Sequence, residues 1–309
     1  MKRILVVYYT QSGQLKEIID SVLSPLTEVT IDFLPIDTAE PFPFPWTGEA
    51  FFGAFPESYL QIPLPLKPFQ LAHTDYDLVI LGYQVWYLSP SIPFNSFLQS
   101  EAGKQLLQGK PVITVSGTRN MWVMAHQKVK KLLTECGAQL VGNIALTDRH
   151  HNHISVITIV QWLFSGDKNK RYLGVFPKAG VADKDVQGAS VYGSLIAPHL
   201  QTGDYTGLQQ EIVAHGGVHY KRFLLSAEKK GNRLFGIWAK MIYGSKKRKF
   251  LLKCFRIYLY IAIWVLMPIV WLLYWLTYPL FFWKVERDKK KFTIDNLQLI
   301  IKEYGIYRI

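Results

Sequence analysis

The sequence predicts an α/β fold, a doubly wound parallel five-stranded sheet over roughly residues 1–200, followed by a helical C-terminal segment that is both apolar and cationic. Three observations carry this. Short continuous apolar runs alternate with helical stripes through the first half of the chain, as expected for strands buried on both faces. Each run ends directly in a cluster of turn and polar residues. Charge is divided unevenly: residues 1–220 hold 16 Lys+Arg and 18 Asp+Glu, whereas residues 221–309 hold 19 and 5.

Residues 4–9 form the first predicted strand. Lys2 and Arg3 precede it, but the run is short and passes into Thr10-Gln11-Ser12-Gly13 without a small-residue cleavage pattern, so a strand is expected rather than a secretory signal. Residues 14–23 place Leu15, Ile18, Ile19, Val22 and Leu23 on one helical face. Further strands are expected at 28–34, 78–82, 112–116 and 139–146, with a helix at 123–136 between the last two. Such alternation implies parallel pairing with right-handed crossovers. Cys136 and Cys254 are the only cysteines, which points to a reducing compartment without a disulfide framework.

Residues 35–69 hold eight of the sixteen prolines together with Phe42, Phe44, Trp46, Phe51, Phe52, Phe55 and Tyr59. This composition suits a packed lid that builds an apolar pocket for alkyl chains. A dimer contact, or a substitute for the missing second crossover helix, is the other reading. Residues 201–245 read as a helical linker, with helices at 208–214 and 223–242.

Residues 257–283 contain no charged side chain, and Tyr258, Tyr260, Trp264 and Trp271 are spread among Ile, Val and Leu. That length can cross a hydrocarbon core of roughly 30 Å. Lys246, Lys247, Arg248, Lys249, Lys253 and Arg256 precede the run; Lys284, Arg287, Lys289, Lys290 and Lys291 follow it. Cations on both sides leave the orientation open, and Pro268 and Pro279 make a kinked or re-entrant helix as plausible as a span. Residues 246–309 are therefore expected to associate with a membrane, with anionic lipid rather than nucleic acid as partner of the cations.

In an open parallel sheet the ligand sits beyond the carboxyl ends of the strands. After the first strand stand Thr10, Gln11, Ser12, Gly13 and Gln14. Hydroxyls and amides at a helix start form a dianion site, and the absence of Lys or Arg there argues against a triphosphate loop. The alternative is that Ser12 merely caps the helix. After the third strand Tyr83 precedes Gln84, Val85, Trp86 and Tyr87, an aromatic pair able to stack on a flat ring. After the fourth stand Ser116, Gly117, Thr118, Arg119, Asn120 and Trp122.

These three loops, in this order, resemble the flavodoxin-like superfamily. The resemblance covers about residues 1–200 and implies FMN, with the first loop on the phosphate and the other two around the isoalloxazine and ribityl groups. Leu15 stands where many relatives have a Thr, and Gln84 where they have a Pro. Within the superfamily the Pro-rich insertion, the stretch 148–152 and the basic apolar tail resemble a bacterial group labelled dialkylresorcinol condensing enzymes. Neither cysteine has the setting of a ketosynthase nucleophile. What the resemblance implies is an FMN-dependent oxidoreductase that aromatises a dialkylcyclohexanedione to a dialkylresorcinol at the cytoplasmic face of the bacterial inner membrane.

Asp148, Arg149, His150 and His151, with His153, follow the fifth strand and so belong to the same sheet edge; they are the acid/base candidates, with solvated loop histidines as the plain alternative. No carboxylate or thiol spacing there supports a metal. Arg119 is either a stabiliser of an anionic reduced flavin or a surface arginine. Two other functions stay open: an NAD(P)H:quinone reductase or electron carrier at the membrane, and a non-catalytic scaffold that has lost its cofactor. NAD(P)H as electron donor and a homodimer are further expectations.

Overall fold

The computed structural model describes residues 1–276. The end of the predicted apolar run, with Pro279, and the cations Lys284, Arg287, Lys289, Lys290 and Lys291 lie outside the described residues.

Strand β1 (Lys2–Tyr8) leads into helix α1 (Gln14–Leu23), and strand β2 (Val29–Pro35) leads into the Pro/aromatic segment. That segment holds two short helices: α2 (Gly48–Gly53), whose start is capped by Thr47 Oγ1 accepting from the Ala50 amide at 3.1 Å, and α3 (Phe55–Leu60), with Pro56 in its first turn. Strand β3 (Leu78–Gly82) is followed by a small hairpin of β4 (Val85–Trp86) and β5 (Ser89–Pro90), then by helices α4 (Ile92–Gln99) and α5 (Glu101–Leu107). Strand β6 (Pro111–Thr118), helix α6 (Val123–Glu135) and strand β7 (Gln139–Thr147) complete the sheet. Helices α7 (Asn152–Ser165), α8 (Asp183–Gln187), α9 (Ser190–Thr202), α10 (Leu208–Ala214), α11 (Arg222–Ile242) and α12 (Arg248–Ile261) follow.

The five long strands pair in parallel in the order β2-β1-β3-β6-β7. This is the flavodoxin-like order, with its switch point between β1 and β3. Ile4, Leu5, Val6 and Val7 are all buried, so β1 supplies apolar side chains to both faces at once. One face packs on Ile18, Ile19 and Val22 of α1 and on α9 and α10; the other packs on Phe94 and Phe97 of α4 and on Val129 and Leu133 of α6. Between β2 and β3 no long helix forms. Leu66, Phe69 and Leu71 cover that part of the second face instead, which accords with the substitute-helix reading for the end of the Pro-rich segment.

Residues 208–214, expected to be part of a linker, belong to the core. Leu208 and Ile212 are fully buried against the sheet, and Gln209 Oε1 accepts from the Asn143 amide at 2.6 Å. Downstream, Ala145 of the edge strand β7 donates its amide to Gly217 O at 2.7 Å. The exposed edge is thereby covered.

Helix α11 and the helix after it are joined by the short turn 243–247. The second helix continues through a π-helical turn (Ala262–Leu266), making one 29-residue helix, Arg248–Leu276, which contains an 18-residue window with a mean hydropathy of 2.1. At 1.5 Å per residue it is about 43 Å long. By length and composition it can cross a membrane. Trp264, Val265, Ile269, Trp271 and Leu272 are all exposed on it.

The Pro/aromatic segment is the socket of this helical pair. Phe55 stacks flat on Phe255 with centroids 3.7 Å apart, and Phe235, Trp238 and Tyr59 close around them. Arg248 donates to both carboxylate oxygens of Glu57, at 2.7 and 2.8 Å, and to Gly53 O at 2.8 Å. Truncating Phe55→Ala removes the centre of this cluster and is expected to cost about 3–5 kcal/mol. Thermal unfolding of the detergent-solubilised protein, with limited proteolysis in the turn 243–247, checks it: the variant should melt earlier and be cut faster, while Phe33→Ala, at an exposed position, should change neither.

Candidate functional site

The first loop turns at Gly13, which has φ +85° and is the N-cap of α1 without a side-chain cap. Its amide donates to Thr10 Oγ1 at 3.2 Å. Ser12 is therefore not the cap, and its hydroxyl has no protein partner among the described residues. The amides of Gln14 and Leu15, first in the helix, have no intrahelical acceptor. These free donors and the helix dipole favour negative charge at this point. The Gln14 side chain itself is committed elsewhere: it donates to Val181 O at 2.9 Å and accepts from Val181 N at 3.0 Å. Gln11 bridges to the Pro/aromatic segment, donating to Pro43 O at 3.3 Å and accepting from the Trp46 indole at 3.1 Å. Leu15 is a core residue of α1, buried against the sheet.

The second loop is the β4–β5 hairpin. Tyr87 and Leu88 form its two-residue turn with φ +49° and +61°. Left-handed backbone at two bulky residues costs roughly 1–3 kcal/mol each. Packing holds it there: the Tyr87 ring lies against Phe51 and Phe55, and its hydroxyl donates to Phe51 O at 2.6 Å. Tyr87 is thus a packing residue of the socket, which corrects its expected role as a stacking ring. Trp86 is half-buried, edge-on to Trp46 and Phe42 at 5.1 Å each and to Tyr9 at 5.8 Å. Val85 is partly buried beside it. Gln84 Oε1 is buried with no partner among the described residues.

The third loop needs two further corrections. A Cβ on Gly117 would lie 2.7 Å from Ile18 Cδ1, so this glycine lets β6 approach α1 closely. Trp122 is 2 % exposed, packed on Val123, Ala145 and Leu225, and donates its indole N–H to His219 O at 3.0 Å; it is a core residue, not a ring contact. Ser116 is fully buried and Thr118 donates its hydroxyl to Arg119 O. Arg119 reaches α7, donating to Ser155 Oγ at 3.2 Å and Asn152 Oδ1 at 3.0 Å. Burial pulls its pKa down to about 10 against the opposing pull of Asp148, so it stays cationic. Asn120 Nδ2 donates to His150 O at 3.4 Å, while its Oδ1 is buried without a partner.

Beyond β7 the acid/base candidates separate. Asp148 is fully buried; its Oδ1 accepts from the His150 amide at 2.9 Å and pairs with His150 Nδ1 at 2.7 Å. This bond makes Nδ1 the donor and leaves Nε2 as the basic nitrogen on a half-exposed ring. Asp148 Oδ2 and the neighbouring Thr147 Oγ1 are buried and unpartnered. Arg149 turns away to Asp185 at 3.1 Å, which removes it from the site as a correction to its expected role. His151 stacks on His153 at 5.4 Å, and His153 Nε2 donates to Ile263 O at 3.1 Å in the π turn of the apolar helix.

Three groups not anticipated from sequence brace these loops. Lys221 donates to His150 O at 2.9 Å. Tyr83 OH lies 3.3 Å from His126 Nδ1, and burial lowers the His126 pKa to about 3. Glu228 on α11, 1 % exposed, accepts from the Met124 amide at 2.7 Å and so caps α6, the helix that starts where the third loop ends. Burial raises its pKa to about 8 although the Met124 and Val123 amides pull the other way. The one sequence signal for it is that Glu228 is the only acid between residues 221 and 276.

Glu228 gives a pH dependence of definite sign. Between its ordinary value of 4.5 and about 8 the folded state keeps a proton that the unfolded chain has released. Its contribution to stability is whole below the lower value and is lost as pH rises through the upper one. Melting curves from pH 5 to pH 9 should show Glu228→Gln gaining on the natural protein as pH rises; a constant difference would exclude a protonated Glu228.

No family model matches the chain, and no curated protein does. Solved structures similar to it include a flavoprotein in complex with FMN from Lactobacillus acidophilus, 16% identical, covering 48% of this chain and 93% of that one at a TM-score of 0.37. An archaeal flavodoxin is 14% identical over 64% of this chain and 99% of its own, at a TM-score of 0.36. Oxidised flavodoxin 1 from Bacillus cereus is 15% identical over 64% and 99%, at 0.35.

Proposed function

We propose that the chain is a membrane-associated FMN-binding redox protein acting on a lipophilic ring compound. The observation that carries this is the set of buried, unpartnered oxygens at one sheet edge: Gln84 Oε1 after β3, Asn120 Oδ1 after β6, and Thr147 Oγ1 and Asp148 Oδ2 at the end of β7. Leaving such an atom without a partner costs about 1–3 kcal/mol. A ligand that brings N–H and O–H donors to these oxygens, and an anion to the start of α1, relieves every one of them.

FMN meets that demand with a phosphate, ribityl hydroxyls and a ring N–H. In this reading Ser12 and the amides of Gln14 and Leu15 hold the phosphate, Gln84, Asn120 and Thr147 take the donors, and Trp86 offers an apolar wall. Bound there, FMN supplies the one- and two-electron chemistry that side chains lack. The chain's own contribution is proton handling: His150, oriented by Asp148, presents Nε2 to an acidic proton beside a carbonyl, and the buried carboxyl stabilises the imidazolium that results.

Aromatisation of a dialkylcyclohexanedione to a dialkylresorcinol fits this division, since it removes two electrons and two protons, one of them acidic. The apolar helix beside the histidine loop suits a substrate with alkyl chains, and Lys246, Lys247, Lys249, Lys253 and Arg256 suit the anionic lipid of a cytoplasmic leaflet.

Chromatography of the chromophore released from protein purified out of solubilised membranes should find FMN at near one per chain. Colourless protein that fails to take up added FMN would leave only a scaffold. With FMN retained, His150→Gln should slow cyclohexanedione turnover by roughly 10²–10⁴-fold. Anaerobic bleaching by NAD(P)H, with recovery on adding quinone and no response to the dione, would instead favour a quinone reductase.

A further inference from the structure

Helix α11 has a second apolar face. Its inward side, with Leu224, Leu225, Ala227, Ala239 and Ile242, is buried. Its outward side presents Leu234, Ile237 and Met241, of which Ile237 is 63% exposed. Lys230, Arg233 and Lys240 lie on the same exposed face. The spacing 230, 233, 234, 237, 240, 241 is one continuous helical stripe. None of the three cations has an acidic partner among the described residues. The only acid of the helix, Glu228, is buried on the other side.

An exposed face of a helix in water normally mixes both signs of charge. Here cations are interleaved with uncovered apolar chains and acids are excluded. That combination belongs to helices lying in a membrane interface, where apolar chains enter the headgroup boundary and Lys and Arg meet lipid phosphates. The same mixture of exposed apolar and cationic residues follows in the chain, with Tyr243 beside Lys246 and Lys247 in the turn and Lys249 with Phe250, also 63% exposed, at the start of the apolar helix. Residues 221–276 as a whole hold twelve Lys+Arg against one acid. Charge complementarity thus selects an anionic surface.

We propose that α11 is not a linker but a second docking surface, which lies in the plane of an anionic lipid leaflet with Leu234, Ile237 and Met241 in the headgroup boundary. This rests on the membrane reading of the apolar helix and adds a separate contact to it. Docking then bears on the site through the two ends of the contact network: Lys221, just before α11, holds His150 O, and Glu228 on its inner face caps α6.

The test uses the full chain with Cys254→Ser, carrying an environment-sensitive fluorophore on Ile237→Cys or, separately, on Leu272→Cys. Each protein is reconstituted into vesicles of phosphatidylcholine alone or of an equal mixture with phosphatidylglycerol, with doxyl-labelled lipid as quencher. The expected result is quenching at Ile237→Cys by shallow doxyl groups in the anionic vesicles, lost in phosphatidylcholine and lost when Lys230, Arg233 and Lys240 are all changed to Glu. Leu272→Cys should be quenched in both lipids. An Ile237→Cys probe that stays open to aqueous iodide in anionic vesicles, with Leu272→Cys still quenched, would overturn the role of α11 and leave the membrane reading standing. Quenching at neither position would bring down both. An emission shift at Ile237→Cys that follows protein concentration rather than lipid charge would assign the face to a second copy of the chain and equally overturn the proposal.

Discussion

The architecture turns on the contact of Phe55 with Phe255 and the Glu57–Arg248 pair beside it. A flat stack of two fully buried rings and a two-point ion pair join a segment inserted after β2 to a helix whose Arg248 lies 191 residues beyond Glu57. From the same segment Trp46 donates to Gln11 of the first loop, and Phe51 accepts from Tyr87 in the second. One insertion therefore links two ligand-side loops to the apolar helix. The ion pair adds direction rather than much energy, because charge-assisted bonds at a partly exposed site offset their own desolvation only in part. The aromatic cluster carries the stabilisation.

Polar groups inside the domain divide into two kinds. Between β6 and β7 the buried acceptor is bonded: Thr114 donates to Asn143 Oδ1 at 2.9 Å and the Asn143 backbone N–H reaches Gln209 at 2.6 Å, with the donor Asn143 Nδ2 left over. At the carboxyl ends of the strands the opposite holds: Asp148 satisfies one oxygen twice and the other not at all. Unpartnered buried groups occur elsewhere as well, Asn95 Nδ2, His126 Nε2 and Asn143 Nδ2 among them, but four such oxygens, Gln84 Oε1, Asn120 Oδ1, Thr147 Oγ1 and Asp148 Oδ2, fall at the edge where the topology puts ligands. Glu228 shows the same competition resolved within the protein. Two amide donors favour its charge, burial opposes it, and burial wins.

Most strands were legible because a doubly buried strand has no polar alternation to confuse, the partly exposed β2 with Thr30 and Asp32 being the exception; all five expected runs coincide with observed strands to within two residues or so. The loops were legible as places, since they must follow strands. The direction of each side chain was not. Trp86, Tyr87 and Trp122 are equivalent in sequence as aromatics after a strand, yet one is half-buried at the ligand edge, one is under the inserted helices and one is in the core. Only the distant partners separate them: Phe51, His219 and Leu225 are contributed by segments whose placement no local pattern encodes. Gly117 likewise reads as a loop glycine until Ile18 is found against it. The role of Glu228 needed α11 to be placed over α6, although a lone acid in a cationic stretch was already anomalous.

The remaining link is between the apolar helix and the histidine loop. A π turn shifts backbone bonding by one residue and frees a carbonyl, which an apolar surrounding cannot satisfy. Ile263 O lies in that turn and His153 donates to it at 3.1 Å, with Trp264 against the imidazole at 5.4 Å. The bond fixes the tautomer of His153 and occupies its Nε2, while His151 stacks on the same ring. His153 is thereby a structural pin, whereas His150 has its Nδ1 held by Asp148 and its Nε2 without a protein partner among the described residues. A shift of the helix along its axis would break the His153–Ile263 bond, a direct tie between the apolar helix and the loop 148–153 that contains both histidines.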